Sequence, residues 1–211
     1  TSIVSGAFYK CSSLTSIDLG NSVTTIGSNA FSQCTSLTSI TIPDSVETIG
    51  SNAFYGCTKL TSIDLSGTQV TTIYYRVFGS CSSLTSITIP DSVTNISQEA
   101  FFQCSNLTSI VIPDSVTTIG SSAFRRTGLT SIVILNSDIS TIGSDAFESI
   151  YYSAVIHLYE SVYNDFSANS FGNVNHFEFE PQNITLNNSN DIIIDISDKI
   201  SLLNIDCLSS D

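Results

Sequence analysis

The sequence predicts an α/β solenoid, in which short strands and short helical turns wind into a stack of similar coils. Three residue types that recur in one register lead to this prediction. Phenylalanine returns every 23 residues, with a single interval of 24, and leucine and cysteine keep the same period. Such agreement over about 140 residues indicates a repeat architecture. The positions are Phe8, Phe31, Phe54, Phe78, Phe101, Phe124 and Phe147; Leu14, Leu37, Leu60, Leu84, Leu107 and Leu129; and Cys11, Cys34, Cys57, Cys81 and Cys104.

Each repeat divides into the same four pieces. In LTSIxI the two isoleucines alternate with other residues, as apolar residues do in a strand. PDSV follows at 43, 90 and 113, where proline fixes φ and Asp-Ser suits a turn. In VxxIG the glycine is expected to supply a backbone conformation closed to other residues. SNAF then offers serine as a helix cap and Ala-Phe as the inward edge of a short helical turn. The glycines are Gly27, Gly50, Gly120 and Gly143.

The repeated apolar residues all point towards one interior, which a single coil cannot enclose. Stacking coils about 4.8 Å apart buries them as continuous ladders and leaves the hydroxyl-bearing residues outside. The cysteines of the ladder are predicted to be free buried thiols, with disulfides as the alternative. Side chains that point the same way have poor disulfide geometry, and a zinc site would need paired CxxC spacing, which is absent. Cys207 stands outside this ladder.

The pattern LxxIxIPxxVxxIGxxAFxxCxxL resembles the BspA-like class of leucine-rich repeats. The resemblance covers residues 1–150, about six full coils and a partial first one. It implies a right-handed leucine-rich-repeat superhelix, with a parallel β-sheet on one face and short helical turns on the other. It also implies a non-catalytic role in binding or adhesion at a cell surface or outside the cell.

The two ends of the chain depart from this pattern. The chain begins in mid-coil, which predicts a fragment of a longer array whose uncapped N-terminal end could self-associate weakly. Residues 151–181 are interpreted as two degenerate repeats, because Ile156, Leu158, Phe177 and Phe179 fall near the expected offsets. Residues 182–211 alternate apolar stretches with Asn and Asp, which predicts a C-terminal β cap or the start of a further β region.

The charge balance excludes several classes of partner. Six Lys and Arg face 19 Asp and Glu, for a net charge of −13. Binding to nucleic acid depends on neutralising phosphates with cations, so no nucleic-acid partner is expected. No apolar stretch is long enough to cross a bilayer, so no membrane insertion is expected either. The sequence has no GxSxG elbow, Gly-rich phosphate loop or HExxH helix, and it predicts no enzyme and no cofactor.

The outward positions of the strands are the predicted ligand-binding surface, because they form a regular strip along the sheet. They lack the aromatic and Arg anchors that usually dominate interface energy. We therefore expect weak or multivalent binding of a protein or glycan, or contacts made by the aromatic residues between 150 and 180. The strip comprises Ser16, Asp18, Ser39, Thr41, Ser62, Asp64, Ser86, Thr88, Ser109 and Val111, and continues to Ser131 and Val133.

Two histidines extend this strip. His157 is expected to face outward between Ile156 and Leu158, and Glu178 takes the equivalent position one coil later. With His176 they would cluster on the sheet face. Two histidines and a carboxylate can hold a transition metal, but an exposed polar patch is the preferred interpretation and no metal site is predicted.

Two functions are compatible with these features. The first is a cell-surface or secreted module that binds a protein or glycan through the sheet face. The alternative is a structural spacer or self-associating rod within a longer surface protein. The rows of Ser and Thr also resemble ice-binding surfaces, but Asp and Val interrupt them.

Overall fold

The computed structural model describes residues 1–151, 154–158, 176–179, 184–186 and 192–194, with side chains for 1–151 and 154–158. These residues form short strands joined by turns, and none belongs to a helix that could span a membrane. The strands are β1 (Ser2–Ile3), β2 (Thr25–Ile26), β3 (Thr48–Ile49), β4 (Ser62–Asp64), β5 (Thr72–Ile73), β6 (Ser86–Thr88), β7 (Asn95–Ile96), β8 (Ser109–Ile112), β9 (Thr118–Ile119), β10 (Ser131–Ile134), β11 (Thr141–Ile142), β12 (Val155–Leu158), β13 (His176–Phe179), β14 (Ile184–Leu186) and β15 (Ile192–Ile194).

Strands β1 to β13 lie in two rows along a β-solenoid of about seven coils. One row holds the LTSIxI segments, which form the predicted strands from the third coil onward, in the sheets β4–β6 and β8–β10–β12–β13, whereas the equivalent segments at 14–19 and 37–42 are not strands. The other row holds the Thr-Ile pairs before the glycines, in the sheets β1–β2–β3 and β5–β7–β9–β11. All of these pairs are parallel, and equivalent residues face one another, such as Ile110 and Ile132. The second row was not foreseen, because two residues are too short for an alternating pattern.

The predicted phenylalanine ladder is confirmed. Successive rings stack with centroids 5.0–5.7 Å apart and interplanar angles of 2–20°. The rings from Phe31 to Phe147 are fully buried, together with the repeated leucines from Leu37 to Leu129. Each coil therefore completes the core of its neighbours, and a coil alone would leave these rings in water.

The predicted helical turns are wrong, and with them the α in the fold class. In each of these segments two residues four apart take left-handed φ, such as Asn52 at 58° and Gly56 at 72°. Alternate amides donate to the next coil: Phe54 N–H bonds the Val77 carbonyl at 2.9 Å, whereas Ala53 N–H bonds Gly50 within its own turn. A helix needs every amide for its own axis and no left-handed residues. The segment is a series of turns that pairs with its neighbours like a strand.

The glycines of VxxIG have a different purpose from the predicted one. None of them has a positive φ. A Cβ on Gly50 would lie 2.6 Å from the Ser28 amide nitrogen of the preceding coil. A Cβ on Gly120 would lie still closer to the amide nitrogen of Gln98. Glycine is needed here because the backbones of adjacent coils approach each other closely. Among the described glycines, those with a left-handed φ are Gly6, Gly20 and Gly56.

Replacing Gly120 by alanine is expected to destabilise the protein by about 1–3 kcal/mol, because the added methyl group must push two backbones apart. Ser97 is the matched control, since it occupies the same position one coil earlier and already carries a Cβ. Ser97→Ala is expected to change the free energy of unfolding by less than about 1 kcal/mol. Urea unfolding of both variants measures the difference, and equal effects would contradict the steric explanation.

The described residues test part of the predictions for the C-terminal region. β12 pairs with β10 and β13 in parallel, with Ile156 between Ile132 and Phe177, which is the phase that the repeat predicts. β14 and β15 pair antiparallel and so differ from the coils. The remainder of 151–181 and of the proposed β cap at 182–211, Cys207 included, lies outside the described residues.

Candidate functional site on the strand face

Two grooves cross the row of LTSIxI segments, whose outward surface we call the strand face. The first, of about 430 Å³, lies where β6 ends one sheet and β8 begins the next. Its polar rim includes Ser86, Thr88 and Ser109. Ile87 also lines it and remains partly exposed, although the equivalent Ile110 is buried. The break in strand pairing therefore opens a cleft that combines exposed hydroxyls with an apolar floor.

The second groove, of about 420 Å³, is more polar. It lies between the second and third coils, and its lining includes Ser39, Thr41, Ser62 and Asp64. The Asp64 carboxylate accepts a hydrogen bond from the Ser66 amide at 2.9 Å, which forms the turn that replaces PDSV in this coil. The groove offers hydroxyls and carboxylates to a polar ligand.

The extra residue of the third coil is accommodated at the edge of this groove. Thr68 is buried, and its hydroxyl donates to the Leu65 carbonyl at 2.7 Å. Leu65 and Val70 on either side remain buried. The 24-residue spacing thus alters the lining of the strand face while the core ladder continues.

The hydroxyl groups divide into two classes that the sequence did not distinguish. In four coils the threonine before the LTSIxI serine bonds the preceding coil, as when Thr38 Oγ1 donates to the Thr15 carbonyl at 3.1 Å. The serine of PDSV does the same, with Ser45 Oγ 2.7 Å from the Val23 carbonyl oxygen. These hydroxyls hold the stack together. The serines of LTSIxI, such as Ser39, are exposed and form the rim of the grooves.

The structure places the predicted site residues in three groups. Eight of them line the two grooves: Ser39, Thr41, Ser62 and Asp64 in one, and Ser86, Thr88, Ser109 and Val111 in the other. Ser16 and Asp18 are exposed on the first coil, where Asp18 accepts a hydrogen bond from the Gly20 amide. Further along the strip, Val133 is buried and His157 is only 8% exposed, so the outward, accessible His157 of the sequence prediction is not found.

The register sets the neighbours of that histidine. His157 faces Val133 on one side and Glu178 on the other, and His176 faces Val155. Glu178 thus takes the predicted position in the register, but the His157 side chain beside it is buried. Among the residues with described side chains, no group of three His, Cys, Asp or Glu could hold a metal ion.

The cysteine ladder is structural. Four of its thiols are buried and free, as predicted, and each donates to the phenylalanine carbonyl of the preceding coil, with Sγ–O distances of 3.0–3.2 Å. Burial raises the pKa of the Cys104 thiol to about 12, and it raises the pKa of Cys81 well above its ordinary value. A thiol that stays protonated is a poor nucleophile and a poor metal ligand. Cys11, in contrast, is exposed.

One cluster of exposed aromatic residues was not predicted from the sequence. It lies on the turns rather than on the strands, and includes Tyr74, Tyr75 and Arg76. These residues stand where the preceding coil has Gly-Ser-Asn, at 50–52. That substitution of three adjacent repeat positions was the available signal.

Comparison with known proteins agrees with the fold. A family model described as the BspA type leucine rich repeat region, in six copies, matches residues 1–126 and 71–195. The leucine-rich repeat protein of T. pallidum (TpLRR) has a similar crystal structure, with 28% identity, a TM-score of 0.64, and coverage of 82% of this chain and 79% of that chain.

A leucine-rich repeat protein from Bacteroides ovatus is also similar, with 25% identity and a TM-score of 0.52. The alignment covers 84% of this chain, which spans 63% of the Bacteroides structure. A comparison with curated proteins found no significant match. The family match extends over most of the coils described above, and the chain belongs to the BspA-type leucine-rich repeat family.

Proposed function

We propose that the chain is a non-catalytic repeat module that acts at a cell surface or outside the cell and binds a protein or glycan through its strand face. The observation that supports this most directly is the pair of grooves of about 430 and 420 Å³ that cross that face. Binding sites are typically concave, with a few polar groups placed among apolar ones. The groove across β6 and β8 has this composition, with Ser86 and Ser109 above Ile87.

The chemistry of the strand face suits recognition. Its hydroxyls and carboxylates can bond the polar groups of a ligand, while the buried thiols are protonated and enclosed. The net charge of −13 favours neutral or basic ligands. Each groove is small beside a standard protein interface, so repeated weak contacts along the coils would raise the avidity.

Replacing Ser109 by tryptophan is expected to weaken ligand binding by roughly tenfold or more, because the indole would fill the groove across β6 and β8. Binding is measured by surface plasmon resonance against purified extracellular matrix proteins and a glycan array. Ser105→Trp is the matched control, since Ser105 is exposed in the same coil but does not line either groove. Unchanged binding of the Ser109→Trp variant to every ligand of the wild-type protein would contradict the strand-face site.

The alternative is a structural spacer or self-associating rod. It is supported by the regular stacking of the coils, in which each coil buries its apolar residues against its neighbours. A spacer would bind only itself, and light scattering that shows strict monomers at high concentration would contradict self-association.

A further inference from the structure

The turn side of the third to fifth coils carries an exposed aromatic patch, which we define as Tyr55, Tyr74, Tyr75, Arg76 and Phe102. Tyr74 and Tyr75 are 42% and 36% exposed, whereas the repeated phenylalanines from Phe31 to Phe147 are buried. They replace the small residues of the repeat, so the coil departs from its own pattern without any gain to the core. Departures of this kind are expected at functional sites.

Arg76 organises the patch. Its guanidinium carbon lies 5.1 Å from the ring centroid of Tyr75 and 5.9 Å from those of Tyr55 and Phe102. These distances are within the range of cation–π attraction. Gly79 provides the space, because a Cβ there would lie 3.1 Å from Tyr55 and 3.3 Å from Arg76. Arg76 is thus held among three rings from three successive coils.

The charge of Arg76 is neutralised within the patch. Its Nε and Nη2 both lie 2.5 Å from Glu99 Oε2, and the two side chains remain 33% and 15% exposed. The side-chain Nε2 of Gln98 donates a hydrogen bond to the other carboxylate oxygen of Glu99 at 3.2 Å. Together with Glu99, the patch therefore combines aromatic faces with N–H donors and carboxylate acceptors, and the Arg76–Glu99 pair carries no net charge.

We propose that the aromatic patch binds a neutral polysaccharide, at a site separate from the strand face. The C–H faces of a sugar ring can stack on the tyrosines, and its hydroxyls can bond the Arg76–Glu99 pair. Tyrosine is suited to such a surface because it is apolar on its face and polar at its tip. The rings of Tyr55 and Phe102 lie two coils apart along the solenoid axis, so a linear polymer can contact both.

Charge decides against an anionic polymer. The chain has a net charge of −13, and Arg76, the cation of the patch, is already paired with Glu99. An acidic ligand would meet repulsion from the protein as a whole without a free guanidinium to bind it. A neutral, hydroxyl-rich polymer matches both the charge and the hydrogen-bonding groups of the patch.

The test uses affinity electrophoresis in gels that contain neutral polysaccharides with glucan, mannan, xylan or galactan backbones. The variant is Tyr74→Gly/Tyr75→Ser/Arg76→Asn, which restores the residues of the preceding coil and so suits the fold. The wild-type protein is expected to be retarded by at least one polymer. The variant is expected to bind that polymer more weakly by roughly tenfold or more. An unchanged urea midpoint of the variant shows that folding is preserved.

A matched control tests whether the position of the aromatic residues matters. Tyr9→Ser removes an exposed aromatic residue from the turn side of the first coil and is expected to retain polysaccharide binding. No retardation of the wild-type protein by any of the four polymers, or equal retardation of wild type and variant, overturns the proposal. Loss of a protein ligand instead of a polysaccharide in the triple variant overturns it in favour of a protein-binding patch.

Discussion

Replacing Phe54 by alanine is expected to lower the free energy of unfolding by about 3–5 kcal/mol. The ring is fully buried and stacks between Phe31 and Phe78, with centroids 5.4 and 5.7 Å away. Its removal leaves a cavity in the middle of the ladder that neither neighbour can fill, because each is held in its own coil by backbone hydrogen bonds to the next. Urea unfolding followed by far-UV circular dichroism measures the loss.

The solenoid adds a second expectation for this variant. Each coil contacts only its neighbours, so a weak junction can divide the stack into two cooperative units. A single wild-type transition that becomes biphasic in the variant would show this division. Phe8→Ala is the matched control, since Phe8 is partly exposed and stacks on one ring only. A loss for Phe8→Ala as large as that for Phe54→Ala would contradict the ladder as the main source of stability.

The repeat could be predicted because it is written in side chains that share one environment. Phe54, Leu60 and Cys57 recur at fixed spacing because each packs on its own equivalent in the next coil. A ladder of this kind repeats residue identity as well as polarity, so its phase survives the extra residue of the third coil. The parallel stack and its buried core follow from this pattern.

The path of the backbone could not be predicted in the same way. Asn52 and Gly56 both favour turns, but their spacing of four also fits the capped helical turn that Ser-Asn-Ala-Phe suggests. The choice depends on whether the amides between them bond within the turn or with the next coil. In this protein Phe54 N–H bonds Val77 of the next coil, and such a long-range partner is invisible in one repeat.

The candidate site was predicted by position but not by shape. Ser39 and Ser109 were placed on the strand face from alternation alone, and both line grooves. The grooves themselves depend on where the pairing of the strands stops, as between β6 and β8, and the sequence contains no mark of that break. The predicted exposure of His157 is wrong for a related reason, because alternation along one strand does not determine which residues are covered by others.

Raising the pH from 7 to 9.5 is expected to lower the free energy of unfolding by about 4 kcal/mol, through the buried cysteines. Burial raises the pKa of Cys57 and Cys81 above the ordinary value and that of Cys104 to about 12. The native thiols therefore keep their protons at a pH where the unfolded chain, with a thiol pKa of about 8.5, has lost them. Their contribution to stability is fully present below that value and is lost as the pH rises towards the native pKa. Above pH 8.5 each thiol contributes about 1.4 kcal/mol per pH unit to the loss.

Urea unfolding at pH 7, 8.5 and 9.5 in the presence of a reductant measures this dependence, and two variants assign it. Cys57→Thr places in the third coil the residue that the sixth coil has at Thr127, and it is expected to remove about 1.4 kcal/mol of the loss at pH 9.5, since one buried thiol is gone. Cys11→Ser removes an exposed thiol and is expected to leave the loss unchanged. If the loss is the same in all three proteins, or if iodoacetamide alkylates Cys81 in the native protein as fast as Cys11, the thiols of the ladder are not the groups that stay protonated. A graded loss that follows the buried positions would instead show that the cysteine ladder stabilises the stack only in its neutral form.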